Sequence, residues 1–131
     1  MIVDTSALVA VLYGEPEGAR FMEIIHDADI CRLSVANYLE LSMVIEKQLG
    51  PDGARQADAF IRRAAITIEP VTVEQGYVAK QAFLDFGKGR HAAQLNFGDC
   101  FAYALAKAMD EPLLFKGDDF SRTDVGSAAA S

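Results

Sequence analysis

MIVDTSALVAVL, residues Met1 to Leu12, is the stretch that decides the fold. Ile2 and Val3 are β-branched and apolar, suited to a buried strand, and Asp4 follows at once. Thr5 and Ser6 then offer capping hydroxyls to a helix over the apolar run Ala7 to Leu12. A short strand that ends in a carboxylate and turns into a helix is the opening unit of an α/β sheet. Ligands of such sheets sit beyond the carboxyl ends of the strands, which aims Asp4 at a site. Taken alone, Asp4 is equally readable as an N-cap that satisfies backbone N–H groups.

The same grammar repeats outward from that stretch. After a turn at Gly14 to Gly18, with Pro16 in a first helical turn, Ala19 to His26 reads as a helix with Phe21, Ile24 and Ile25 on its core face. Ile30 to Leu33 reads as a strand, and Ser34 caps a helix over Val35 to Leu49, ended by Gly50 and Pro51. Leu41, Val44, Ile45 and Leu49 form its apolar face; Glu40 lies beside Ala36, Met43 and Val44 rather than on a charged side. Asp52 suits the cap of a further helix to about Ala65, Ile66 to Val71 a third strand, and Thr72 with Gln75 a capping box opening a helix from Val73 to Phe86. Asn96 to Ala106 (NFGDCFAYALA) is helical, with Gly98 permitting a tight entry and Asp99 in the first turn. Leu113 to Phe115 is a last buried strand, and the sequence KGDDF again places carboxylates, Asp118 and Asp119, directly behind it.

Strands alternating with helices predict an α/β fold: a central parallel sheet of four to five strands flanked by helices on both faces. The length of 131 residues suits one domain, read as 1–125, with the tail 126–131 (GSAAAS) expected to fray because it has nothing to bury. The first residues enter a strand directly, without the basic and apolar segments of an export signal, and no apolar run reaches the ~20 residues of a membrane span. A cytoplasmic protein is therefore expected. Cys31 and Cys100, far apart and in no metal-ligand spacing, read as reduced packing residues.

A net charge of −7 argues against nucleic-acid binding by general electrostatic attraction, but not against a nuclease. Asp4, Glu40, Asp99 and Asp118 or Asp119 all fall where the topology can bring them to one edge. Two carboxylates about 4 Å apart repel by roughly 4 kcal/mol at an effective dielectric near 20, and few cations lie nearby in sequence. Mg²⁺, with Mn²⁺ as a substitute, resolves that repulsion with hard oxygen ligands and supports phosphodiester hydrolysis. The loop Gly87 to His91 (GKGRH) lacks a P-loop pattern; its Lys88, Arg90 and His91 suit either a phosphate backbone or plain solvation.

Four blocks, MIVDTSALVAVL, SVANYLELSMVIE, LNFGDCFAYALAK and PLLFKGDDFSRTD, together resemble a PIN domain, and specifically the VapC toxins of bacterial VapBC toxin–antitoxin pairs. The resemblance spans nearly the whole chain, with the blocks in the family's order. It implies a three-layer α/β/α fold and an Mg²⁺- or Mn²⁺-dependent endoribonuclease acting on tRNA or rRNA. Asp4, Glu40 and Asp99 match the family's first three acidic positions, with Thr5 or Ser6 orienting Asp4 or a bound water. The fourth acidic position varies; Asp118 is favoured over Asp119. The implied partners are a VapB-type antitoxin and a second copy, as a homodimer alone and a heterotetramer or larger assembly with antitoxin. A PIN nuclease of RNA or DNA processing without an antitoxin, and an inert PIN-fold interaction module, are the competing expectations.

Overall fold

The computed structural model describes residues 1–129. A parallel four-stranded sheet forms the middle layer, from β1 (Ile2–Val3), β2 (Cys31–Ser34), β3 (Ile66–Glu69) and β4 (Leu113–Leu114), in the order β3-β2-β1-β4. The chain steps from β1 outward to β3, then returns to add β4 on the other side of β1. The strand order therefore reverses beside β1, and the crevice at its carboxyl end is the switch point at which such sheets hold ligands.

Five helices cover the two faces: α1 (Thr5–Leu12), α2 (Gly18–Asp27), α3 (Val35–Arg63), α4 (Val73–Phe86) and α5 (Phe97–Met109). Ile2 and Val3 are fully buried and serve opposite faces, as neighbours in a strand must. Ile2 joins Leu95, Leu105 and Leu113 in the core that includes α4 and α5. Val3 joins Leu8, Leu33, Leu41, Ile45 and Leu114 in the core of α1, α2 and α3. This is the expected three-layer α/β/α architecture. No helix among the described residues is long and apolar enough to cross a membrane.

Four local details depart from the sequence reading. Pro16 stays outside α2, which begins at Gly18. The helices on either side of Gly50 run together as α3, with a break where Gly50 takes φ 71°, a conformation that favours glycine. Pro51 already belongs to the second segment, so Asp52 does not cap it and instead pairs with Arg55 at the surface. β3 ends at Glu69 rather than Val71, because Pro70 has no N–H to donate.

The tail is the fourth departure. The Leu113 N–H donates to the Gly126 carbonyl and the Ala128 N–H to the Leu113 carbonyl, each at 2.9 Å. Arg20 Nη2 donates to the Ala129 carbonyl at 3.2 Å. Residues 126–129 are therefore held against β4 instead of fraying: the edge of a short strand offers backbone partners, and Ala128 and Ala129 pack, partly buried, against the core of α1, α2 and α3. Ala130 and Ser131, the rest of the expected tail, lie outside the described residues.

Leu105 fastens α5, and hence its N-terminal carboxylate, to β1 and β4. Leu105→Ala is expected to lower stability by about 2–5 kcal/mol, read as a reduced urea midpoint at unchanged slope; a loss below about 0.5 kcal/mol would contradict this packing.

Candidate active site

The carboxyl edge of the sheet collects acids from separate parts of the chain. Asp4 follows β1 directly and caps α1: its Oδ2 accepts from the Ser6 N–H at 3.0 Å and the Ser6 hydroxyl at 2.6 Å. Ser6 Oγ also accepts from the Lys116 N–H at 3.0 Å, and the Asp4 N–H donates to the Leu114 carbonyl at 2.9 Å. Ser6 thus ties the exit of β4 to that of β1. The other carboxylate oxygen, Asp4 Oδ1, is buried with no hydrogen-bond partner. An unpartnered buried carboxylate oxygen is costly and asks for a cation or a proton.

Thr5 turns the other way. Its hydroxyl donates to Glu40 Oε1 at 2.6 Å, so of the two hydroxyls expected to orient Asp4, Ser6 does so and Thr5 holds Glu40. Glu40 lies early in α3, which Ser34 caps by accepting from the Ala36 N–H at 3.3 Å. Asp99 lies in the first turn of α5, where Asn96 and Asp99 form a reciprocal capping box: the Asp99 N–H donates to Asn96 Oδ1 at 2.9 Å and the Asn96 N–H to Asp99 Oδ2 at 3.0 Å.

Burial is the largest influence on two of these acids. It pushes the Asp4 carboxyl up to about 6, against the hydrogen bonds from Ser6 and Thr5 and with help from the nearby Glu40 charge. Burial likewise pushes Asp99 up to about 7, opposed by the hydrogen bond from the Asn96 N–H and reinforced by the charges of Asp4, Asp119 and Glu40. The charges of Asp4, Glu40 and Asp119 therefore all bear on Asp99. Asp119 thus joins the other three, while the Asp118 carbonyl accepts from Ser121 Oγ at 2.6 Å as the chain turns into a short 3₁₀ helix.

Among the described residues, no lysine, arginine or histidine is ion-paired to Asp4, Glu40, Asp99 or Asp119. Lys116 reaches back to Glu15 and Glu17 at 3.0 and 3.1 Å, and Arg32 pairs with Glu69 and Glu111 at 2.7 and 3.1 Å. Among the described residues, no three carboxylate, imidazole or thiol groups close into a ready-made metal cage. The donor set is nonetheless all oxygen, and Asp4 Oδ1 is buried without a hydrogen-bond partner, so the residues fit a hard divalent cation.

Lys88, Arg90 and His91 sit on an exposed loop that leads into Asn96. Arg90 lies over the Phe83 ring, 5.8 Å from its centre. His91 packs edge-on against Phe86, and its Nδ1 accepts from the Ala93 N–H at 3.0 Å. Among the described residues none of the three is hydrogen-bonded or ion-paired to the acidic cluster.

The sequence reading missed two members of the site. Asn37, fully buried, donates through Nδ2 to Glu40 Oε1 at 3.3 Å and to the Gly98 carbonyl at 3.0 Å. The signal was its place one turn before Glu40, on the same helix face. Gly98 is required for a reason other than turn geometry: a Cβ there would lie 2.1 Å from Glu40 Oε2.

An open parallel sheet with acids gathered at its switch point defines a carboxylate-centred α/β domain. The whole-chain comparisons are specific. Residues 1–126 match the PIN domain family. Ribonuclease VapC30 of Mycobacterium tuberculosis is 46% identical over 129 residues, covering 98% of each chain, and ribonuclease VapC of Mycolicibacterium smegmatis is 45% identical, covering 97% of this chain and 98% of that one. The solved structure of Mycobacterium tuberculosis VapC20, described as a sarcin-ricin loop cleaving toxin, shares the fold at a TM-score of 0.77 and 18% identity, covering 95% of both chains. VapBC2 of Rickettsia felis, bound to a DNA fragment from its promoter, does so at 0.76 and 14%, covering 96% of this chain and 94% of that one. The chain belongs to the PIN-domain family, among its VapC ribonucleases.

Raised carboxyl pKa values carry a sign for stability. The native chain keeps protons on Asp4 and Asp99 that the unfolded chain releases near pH 4, so these groups make the metal-free protein less stable as pH rises from about 4 through 7. Asp99→Asn keeps an acceptor for the Asn96 N–H and removes the charge. It is expected to raise Tm in chelator by a few degrees at pH 8, about 1 kcal/mol, and by nothing measurable near pH 4. An equal change at both pH values, or a loss at pH 8, would contradict the assignment.

Proposed function

We propose that this chain is the toxin of a toxin–antitoxin pair, an endoribonuclease that hydrolyses phosphodiester bonds in RNA at the carboxyl edge of its sheet. The observation that carries this reading is the buried, unpartnered Asp4 Oδ1, in an acid whose neighbours in charge are Glu40 and Asp99. The names of the relatives, ribonucleases of the VapC group, supply the substrate class. Structured RNA such as tRNA or rRNA is the expected target, in the cytoplasm.

Asp4, Glu40 and Asp99 would hold Mg²⁺, or Mn²⁺ in its place, with Asp119 as fourth acid and Asp118 beside it. Such an ion supplies, when bound, an activated water and neutralisation of the charge that develops on the phosphate. The protein's own part is positioning. Ser6 engages one oxygen of Asp4 and leaves the other free, while Thr5 fixes Glu40. Burial keeps water from dispersing the field of the cluster. Lys88, Arg90 and His91 are proposed to steady the RNA backbone beside it, which offsets the repulsion between RNA and a chain of net charge −7.

The proposed partners are a VapB-type antitoxin, with an arginine or lysine entering the acidic cluster, and a second copy of the chain, in a homodimer and in a heterotetramer or larger assembly with antitoxin. One solved relative in fold is a toxin–antitoxin complex of Klebsiella pneumoniae, with a TM-score of 0.70. Leu39 and Met43, one turn apart on α3, are 58% and 63% exposed, an apolar stripe that suits a protein partner.

Purified, antitoxin-free protein is expected to cut total cellular RNA into discrete fragments with Mg²⁺ or Mn²⁺ and not with chelator, and Asp99→Asn to cut at least about 100-fold more slowly. Cleavage that survives chelator, or an Asp99→Asn variant as fast as the parent, would overturn the reading. No cleavage by folded protein under either metal would favour the interaction-module alternative.

A further inference from the structure

The structure assigns to Asn37 the role of a positioning residue for Glu40, working against Gly98 so that the Glu40 carboxylate has one place to sit; this rests on the nuclease reading above. The geometry is a three-sided enclosure drawn from three helices. From α1, Thr5 Oγ1 donates to Glu40 Oε1 at 2.6 Å. From α3, Asn37 Nδ2 donates to the same oxygen at 3.3 Å, and to the Gly98 carbonyl of α5 at 3.0 Å. The backbone of Gly98 closes the remaining side, so near that an added Cβ would lie 2.1 Å from Glu40 Oε2 and 2.6 Å from its carboxyl carbon.

Chemistry fixes which way the Asn37 amide points. Its two neighbours are a carboxylate and a carbonyl, both acceptors only, so the NH₂ end must face them. The price of that orientation is visible: Asn37 Oδ1 is buried with no partner. An unsatisfied buried amide oxygen opposes folding, so packing alone gives no reason for an asparagine at a fully buried position. Its donor is what the site uses. By binding Glu40 and the Gly98 carbonyl with one NH₂ group, Asn37 sets the distance between the acid of α3 and the N-terminal turn of α5, one residue before Asp99. Two of the proposed cation ligands are thereby held in mutual register.

Three variants separate this role from a merely structural one. Gly98→Ala is the most informative. Gly98 lies in the first turn of α5 at a φ open to any residue, and the atoms a methyl group would strike belong to the end of the Glu40 side chain and not to backbone, so the fold tolerates the change while the carboxylate is displaced. Asn37→Ala removes the donor. Asn37→Asp keeps the shape and replaces the donor by an acceptor.

Each variant is measured beside the parent for urea stability without metal, for Mn²⁺ affinity by calorimetry without RNA, and for kcat and KM on a defined RNA. The expected result is Mn²⁺ affinity weaker by about 10- to 100-fold in all three, kcat reduced by a similar factor, and KM for RNA within about threefold of the parent. Gly98→Ala should keep the parent's urea midpoint, so its loss of affinity cannot be a loss of fold; if either Asn37 variant fails to fold, Gly98→Ala decides the matter alone. Parent-like Mn²⁺ affinity in a folded Gly98→Ala protein, or in a folded Asn37→Asp protein, would overturn the assignment. A parent that binds Mn²⁺ and cuts no RNA would sink the nuclease reading and leave the affinity comparison to test the positioning role. A parent that binds no Mn²⁺ would overturn both.

Discussion

Carboxylates crowded at a desolvated edge are the constraint on which the rest of this structure turns. Asp4 is buried at the end of the central strand β1, Asp99 opens α5 beside it, and the charges of Glu40 and Asp119 bear on them. Like charges about 4 Å apart repel by roughly 4 kcal/mol at an effective dielectric near 20, and Lys116 and Arg32 are engaged with other acids. A cluster held in that condition needs rigid supports. The supports are neutral donors: the hydroxyls of Thr5 and Ser6, the amide of Asn37 and the backbone at the N-termini of α1 and α5. Neutral donors restrain a carboxylate without cancelling its charge, which leaves the charge available to a cation.

The fold places these supports economically. Because the strand order reverses at β1, the exits of β1, β2 and β4 and the start of α5 face one crevice, and each contributes a polar group there. The apolar cores on the two faces of the sheet then act as the mounting. Ile2, Leu105 and Leu113 fix α5 from one side, while Val3, Leu8 and Leu41 fix α1 and α3 from the other. An error in either core would reach the acids through helices that are only a turn or two long between core and site.

Much of this was legible in the sequence because local rules suffice for it. The strand–acid–helix grammar of Met1 to Leu12, the Ser34 cap and the alternation of strands and helices all follow from short-range propensity, and the family resemblance rests on residues in those blocks. What depends on distant pairing was not legible. Thr5 and Ser6 are adjacent and chemically alike, yet one serves Glu40 and the other Asp4, a choice made by the packing of α3 against α1. Asp118 and Asp119 are adjacent too, and it is the charge of Asp119 that bears on Asp99, which no local pattern foretells. Asn37 and Gly98 lie 61 positions apart, so neither spacing nor periodicity could pair them. Residues 126–129 are held by backbone hydrogen bonds to Leu113 and by partly buried Ala128 and Ala129, a placement that composition does not encode.

The most direct test of the crowded-carboxylate account is a ¹³C NMR titration of the aspartate carboxyl carbons in metal-free protein, repeated with Mg²⁺. The account predicts one aspartate titrating near 7 and assigned to Asp99, another near 6 and assigned to Asp4, and the loss of both elevated transitions once Mg²⁺ is added. Asp4 and Asp99 titrating near 4, like exposed aspartates, and unmoved by Mg²⁺, would contradict it.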